Sequence, residues 1–134
     1  MADIMEYQLF IDGKWTPGSS GEFMEVINPA NQEVVARVPR GNQEDVDKAL
    51  ASARNAFESG VWSGKSVEER AQVLMTASMM AVAQKERLGY LEALTSGATI
   101  RRTTTVDIAE VAATLLLTAM TAQELPRVEH TLFS

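Results

Sequence analysis

The sequence predicts a mixed α/β fold laid out in α+β fashion, with short β-strands at the front and about four α-helices behind them. Three observations carry this. Over the first forty residues, short β-prone runs alternate with turn chemistry. From Gly41 onward the apolar residues switch to helical spacing. Caps, glycines and a proline then cut the helical part into pieces of ordinary helix length.

The first strand pair is expected at 7–11 and 14–16, around Asp12-Gly13. Asp-Gly tolerates the positive φ of a tight hairpin turn, and Tyr7 and Trp15 suit a pleated surface. A second pair is expected at 23–27 and 33–38 around Asn28-Pro29-Ala30-Asn31, with Pro39 ending it. Hairpins alone are marginal in water, so this β element needs a partner surface.

The first helix starts after Asn42, with Asp45 three positions on, and presents Val46, Ala49, Leu50, Ala53, Ala56 and Phe57 along one face up to Gly60. In the loop Val61-Trp62-Ser63-Gly64, Trp62 is expected to be an anchor. Ser66-Val67-Glu68-Glu69 reads as a capping box opening a second helix to about Gln84, whose stripe around Leu74, Met75, Met79 and Val82 is broad enough to be buried on more than one side. Leu88, Leu91, Ala93 and Leu94 suggest a third helix closing at Gly97, and residues 106–125 a fourth closing before Pro126. Its face is Ile108, Val111, Ala112, Leu115, Leu116 and Ala119. No Gly/Ser linker or internal repeat divides the chain, and Leu132-Phe133-Ser134 resembles a strand cut off at its start.

Composition excludes several functions. A formal net charge of −6 over 134 residues argues against nucleic acid, which is bound through clustered Lys and Arg. The single adjacent basic pair, Arg101-Arg102, reads as a solvated helix entrance. The start lacks a signal-peptide pattern, and the longest apolar run, Leu115-Leu116-Leu117, is far below the roughly 20 residues of a spanning helix. No membrane is expected, and a cytoplasmic location is. With zero cysteines the chain forms no disulfide, binds no metal through thiolate and runs no cysteine-based catalysis.

Searching the remaining residues for chemistry returns little. His130 is the sole histidine and lies near the end of the chain, where a tail residue is the simpler reading than a triad or metal ligand. Neither GxxxxGK[ST] nor GxGxxG occurs, so no glycine-rich cradle for a phosphate is present. Glu44-Asp45-Asp47 and Glu68-Glu69 sit in first helical turns, where carboxylates complement the helix dipole. The seven methionines suit a plastic core or interface.

Taken in order, the pieces resemble the N-terminal segment of the NAD(P)-dependent aldehyde dehydrogenase superfamily. Leu9-Phe10-Ile11-Asp12-Gly13-Lys14-Trp15 is similar to its opening "(F)I(D/N)G(K/E)W", and Val26-Ile27-Asn28-Pro29-Ala30 to its "VINPAT". The runs 31–38, 44–49 and 51–57 are similar to "GEVIAEV", "EDVDRAV" and "AAARAAF". Trp62-Ser63, Val67-Glu68-Glu69-Arg70-Ala71 and Glu92-Ala93-Leu94-Thr95-Ser96-Gly97 are similar to "WS", "P(A/E)ERA" and "E(T/A)LDSGK(P)". No piece is specific alone; their order over residues 7–122 is. Two positions depart: Ala98 replaces the usual lysine, and Thr118-Ala119-Met120 stands where "YYAGW" aromatics are common. The missing aromatics thin the packing against the cofactor domain.

The resemblance implies residues 1–40 as the hairpin region of the family's oligomerisation element, 41–126 as the helical part of its dinucleotide-binding domain, and 127–134 as a truncated tail, with no independent second domain. It implies a parent enzyme that oxidises an aldehyde to a carboxylic acid with NAD or NADP, whose catalytic residues and cofactor-binding glycines come later in the chain. No catalytic or cofactor-binding residue is therefore assigned here, and no cofactor is expected on this chain alone. Many family members hold a monovalent cation through a carbonyl at the "VINP" strand end and an aspartate at the start of the fourth helix. These positions are Ile27, together with Val26, and Asp107. A third ligand belongs to a part of the family's chain that is not here, and a helix-entrance charge is the simpler reading of Asp107. The expected partners are further copies of the chain in a homo-oligomer and the remainder of the aldehyde dehydrogenase subunit. The alternative is a natural short oligomerisation or interaction module without activity; an in-frame continuation towards a "REPVG"-like strand and a cysteine separates the two.

Overall fold

A computed structural model describes residues 4–124. The expectations for Leu125, Pro126, His130 and Leu132-Phe133-Ser134 lie outside the described residues. The element order follows the predicted α+β layout: β1 Met5–Glu6, β2 Leu9–Ile11, β3 Lys14–Thr16, β4 Phe23–Ile27 and β5 Val34–Pro39, then α1 Gln43–Glu58, α2 Val67–Ala83, α3 Lys85–Ser96, α4 Ile100–Arg102, a π-helical turn Thr103–Asp107, and α5 Ile108–Glu124.

The Asp-Gly turn forms as its chemistry requires: Asp12 and Gly13 both adopt positive φ, 54° and 72°, and β2 and β3 pair antiparallel across them. Phe10 and Trp15 face each other across this ribbon with ring centroids 4.9 Å apart. The second pair forms a separate sheet in the order β1-β5-β4. β4 runs antiparallel to β5 with a register shift between Val26 and Ile27, whereas β1 adds to the far side of β5 in parallel, Met5 opposite Ala36. The two-residue β1 falls where no strand is expected from the sequence. Pro39, expected to end the strand, is its last residue and is buried.

The predicted capping box at Ser66 is present, and the predicted N-cap at Asn42 forms a full capping box as well. Asn42 accepts from the Asp45 N–H while the Asp45 side chain accepts from the Asn42 N–H, and Ser66 and Glu69 do the same at α2. Gly97, with φ 76°, closes α3 in the left-handed conformation. α3 begins directly after the α2 cap Gln84, earlier than expected, and the last helical stretch begins at Ile100 instead of 106.

α2 and α5 form the main helical pair, sealed by small residues: Ala71, Ala112 and Ala119 are buried. Ser78, also buried, donates its hydroxyl to the Ala112 carbonyl at 2.7 Å. Much else is uncovered. The α1 face Val46, Leu50 and Phe57 is exposed, Phe57 by 75%. The outer sides of α2 and α5, with Met79, Val82, Val111, Leu116 and Leu117, are exposed as well. The α2 stripe is thus covered on one side only. Trp62 is 43% exposed, so the expected anchor has little to anchor to within this chain. The stretch Ile100–Glu124 is, by length and composition, long and apolar enough to cross a membrane. That property is invisible to a search for unbroken apolar runs, because threonines and Glu110 interrupt them. Its buried alanines nevertheless pack on α2.

Candidate functional site

The two candidate cation ligands lie at irregularities of the backbone. Ile27 ends β4 just past the register shift, where the next N–H, that of Asn28, bonds the Glu33 carbonyl at 2.8 Å. Asp107 is the last residue of the π-helical turn, in which the Ile108 N–H reaches back five residues to the Thr103 carbonyl. Such turns are rare and recur at functional sites. Asp107 is therefore inside a continuous helical stretch and is no helix-entrance charge.

Thr103 explains why the turn closes here. Its side chain is fully buried, and its hydroxyl donates to the Gly89 carbonyl at 2.7 Å and lies 3.1 Å from that of Ile100. A Cβ on Gly89 would stand 3.0 Å from both the backbone nitrogen and Cα of Thr104. Only glycine lets α3 approach this closely, so α3 and the π turn are locked together beside Asp107.

The Asp107 carboxylate is 27% exposed and accepts from Arg102 Nε at 3.3 Å. The solvated basic pair of the sequence thus contributes one member to the candidate site. Val26 and Ile108, the chain neighbours of Ile27 and Asp107, line one apolar groove of about 470 Å³ between the sheet and α3, together with Met5, Tyr7, Val35 and Leu91. Ile27 and Asp107 themselves do not line this groove; Asp107 lines a separate surface pocket with Glu110, Val111, Thr114 and Leu115. A carboxylate and a strand-end carbonyl are hard oxygen donors of the type an alkali cation takes. No cluster of three or more His, Cys, Asp or Glu side chains able to hold a metal occurs among the described residues.

A second polar cluster, which sequence reasoning assigned only to a helix dipole, joins the β region to α1. Asp45, 5% exposed, accepts from the Ser19 hydroxyl at 2.6 Å, from the Ser19 N–H at 3.1 Å and from the Asn42 N–H at 3.1 Å. The Ser19 hydroxyl first, and the Asn42 N–H after it, hold the carboxyl below its usual range. Lys48 Nζ approaches Ser19 Oγ at 3.3 Å and pairs with Glu44 at 2.6 Å, a bond that raises the lysine above its ordinary value. An ionised aspartate and a lysine held protonated offer neither a base nor an activated nucleophile. The cluster is a fastening; the sequence signal for it was the N-cap Asn42 with Asp45 three positions on, which pointed only to the local half of its bonds.

With this geometry in hand, comparison with known proteins is decisive. The family model described as "Aldehyde dehydrogenase family" matches residues 15–132. The chain belongs to the aldehyde dehydrogenase family. It is 40% identical over 96 residues to the betaine aldehyde dehydrogenase of Bacillus subtilis (strain 168), covering 72% of this chain and 20% of that protein. It is 36% identical over 104 residues to the NADP/NAD-dependent aldehyde dehydrogenase PuuC of Escherichia coli (strain K12), covering 78% and 21%. The fold superposes on an NAD-dependent aldehyde dehydrogenase from Sinorhizobium meliloti with TM-score 0.87 and 29% identity, over 98% of this chain and 26% of that one. It superposes on a point mutant of the Staphylococcus aureus betaine aldehyde dehydrogenase in complex with NAD+ with TM-score 0.85 and 30% identity, over 90% and 24%. The chain spans about a fifth of the length of the curated relatives it matches. The aldehyde dehydrogenase fold accounts for the mixed strand and helix order.

Proposed function

We propose that this chain is the N-terminal part of an enzyme that oxidises an aldehyde to a carboxylic acid with NAD or NADP, and that it supplies scaffold and assembly surface and no catalytic group. The observation that carries the proposal is the family match over residues 15–132 in a chain with no cysteine and no glycine-rich phosphate loop. The thiolate that attacks the aldehyde, and the surface on which NAD(P)+ accepts the hydride, then belong to the remainder of the subunit. Residues 1–40 serve as the hairpin region of the oligomerisation element and 41–126 as the helical part of the dinucleotide-binding domain. Ile27 and Asp107 contribute a carbonyl and a carboxylate to a monovalent-cation site completed elsewhere in the subunit. The protein acts as a cytoplasmic homo-oligomer, without nucleic acid or membrane.

Purified chain mixed with an aldehyde and NAD+ or NADP+ is expected to form no reduced cofactor; steady formation would defeat the proposal. The positive counterpart uses a relative lacking its own first fifth. Adding this chain is expected to restore order and activity to that remainder, and the remainder is expected to cover Phe57 and Leu117 as judged by loss of their labelling by a surface-reactive carbene.

A further inference from the structure

Asp12-Gly13 is the only place in the sequence where an aspartate or asparagine precedes a glycine. The dipeptide forms the tip of the β2–β3 ribbon, and both of its residues are exposed. Nothing lies within 4 Å of the point where a Cβ on Gly13 would stand, so no side chain shields the Gly13 nitrogen. The Gly13 N–H also makes no turn or loop hydrogen bond to the backbone among the described residues. An unshielded, unbonded amide therefore follows an exposed carboxyl.

We propose that this tip is a self-modification site, at which Asp12 converts to isoaspartate and the ribbon loses its pairing. The Gly13 nitrogen, giving up its proton, attacks Cγ of the protonated Asp12 carboxyl. The new N–Cγ bond closes a succinimide ring, and the carboxyl hydroxyl leaves with that proton as water. A second water then opens the ring; where it breaks the bond from the main-chain carbonyl to nitrogen, the chain runs on through Cβ and Cγ and the former main-chain carbonyl becomes a pendant carboxylate. One water leaves and one enters, so the step needs no oxidant, reductant or second substrate. Ring closure requires the turn to open, and the ribbon is built to allow it: it is a separate two-stranded sheet of three residue pairs, the kind of element that opens locally. The carboxyl itself is restrained by one bond, from the Ser52 hydroxyl to Asp12 Oδ1 at 3.3 Å between exposed groups. The consequence falls on the pairing. A two-residue turn with φ of 54° and 72° sets the register Leu9–Thr16, Phe10–Trp15 and Ile11–Lys14, and an extra backbone carbon within it breaks that register. The Phe10–Trp15 ring contact at 4.9 Å is lost with it.

The test is prolonged warm incubation of the full chain near neutral pH. Isoaspartate is quantified by methyl transfer from labelled S-adenosylmethionine with protein isoaspartyl methyltransferase and located by peptide mapping, while the Trp15 indole N–H resonance reports on the ribbon. Isoaspartate is expected to accumulate at residue 12, with the Trp15 resonance shifting in proportion. Asp12→Glu, verified as folded by circular dichroism, is expected to accumulate none there. Ser52→Ala is expected to accumulate it roughly twofold faster, the effect of losing one exposed hydrogen bond. No isoaspartate at residue 12, or its accumulation with the Trp15 resonance unmoved, overturns the proposal. An unchanged rate in Ser52→Ala overturns the restraint by Ser52 and leaves the modification site standing.

Discussion

The Ser19 hydroxyl donates to the Asp45 carboxylate across 2.6 Å and twenty-six residues of chain. It ties the loop after β3 to the start of α1, a helix whose apolar face is otherwise exposed and whose remaining packing is a light contact with β2. Asp45→Asn is expected to destabilise α1 more than Ser19→Ala, since the carboxylate also accepts from the Asn42 N–H. The pH dependence follows from the lowered pKa of Asp45. Its stabilisation is complete above the unfolded value of about 4 and is lost as pH falls through the lower folded value. The gap in urea midpoint between the unaltered chain and Asp45→Asn should therefore be full at neutral pH and close below about pH 4.

The α2 cap is a self-contained test. Ser66 accepts from the Glu69 N–H at 3.1 Å and its own N–H donates to the Glu69 carboxylate at 2.8 Å. Ser66→Ala is expected to cost about 1 kcal/mol of unfolding free energy. Ser66→Asp should recover most of it in the same denaturant titration.

Gly89 and Thr103 should be intolerant for different reasons. Gly89→Ala places a methyl group against the Thr104 backbone and is expected to cost about 1–3 kcal/mol by overpacking. Thr103→Val keeps the shape and removes the second hydrogen bond to the Gly89 carbonyl, which lies within α3, an expected loss of about 0.5–1.5 kcal/mol. Thr103→Ser retains the hydroxyl and should lose less than Thr103→Val. Thermal unfolding of the three variants decides the order.

The uncovered faces predict association of the isolated chain. Phe57, Leu117 and Met79 are all exposed, and exposed apolar faces on helices mark surfaces that associate. Sedimentation velocity is expected to show concentration-dependent assembly, reduced in a Met79→Glu/Leu117→Lys double variant; a strictly monomeric parent chain at high concentration would overturn this.

What was legible in the sequence was local. Asp12-Gly13, Asn42 with Asp45, Ser66 with Glu69, and Gly97 each encode their turn or cap within four residues, and each forms as read. What was missed depends on distant partners. β1 pairs with Ala36 and Arg37, some thirty residues on, and two residues of β-prone chain carry no signal of that. The π turn depends on the Gly89 carbonyl that receives Thr103, fourteen residues away. Trp62 and the face of α1 read correctly as apolar, but periodicity records that a face seeks cover and not whether this chain contains it. At the candidate site, Asp107 was found through family resemblance; its tie to Arg102 could not be, because a five-residue spacing carries no helical meaning until the turn is known.

The π turn also acts as a phase shifter. Each residue added to a helix rotates everything after it by about 100°, so the one extra residue accommodated between Thr103 and Ile108 decides which side of α5 looks at α2. Ala112 and Ala119 meet α2 because of it. Removing one residue from Thr103–Asp107 would restore regular helix with Ala112 and Ala119 still turned toward α2, because the wide turn takes up the one residue removed, whereas straightening the turn at full length would rotate both alanines away. The turn thus sets, through one insertion, both the pairing of Arg102 with Asp107 and the orientation of the longest helix pair in the chain.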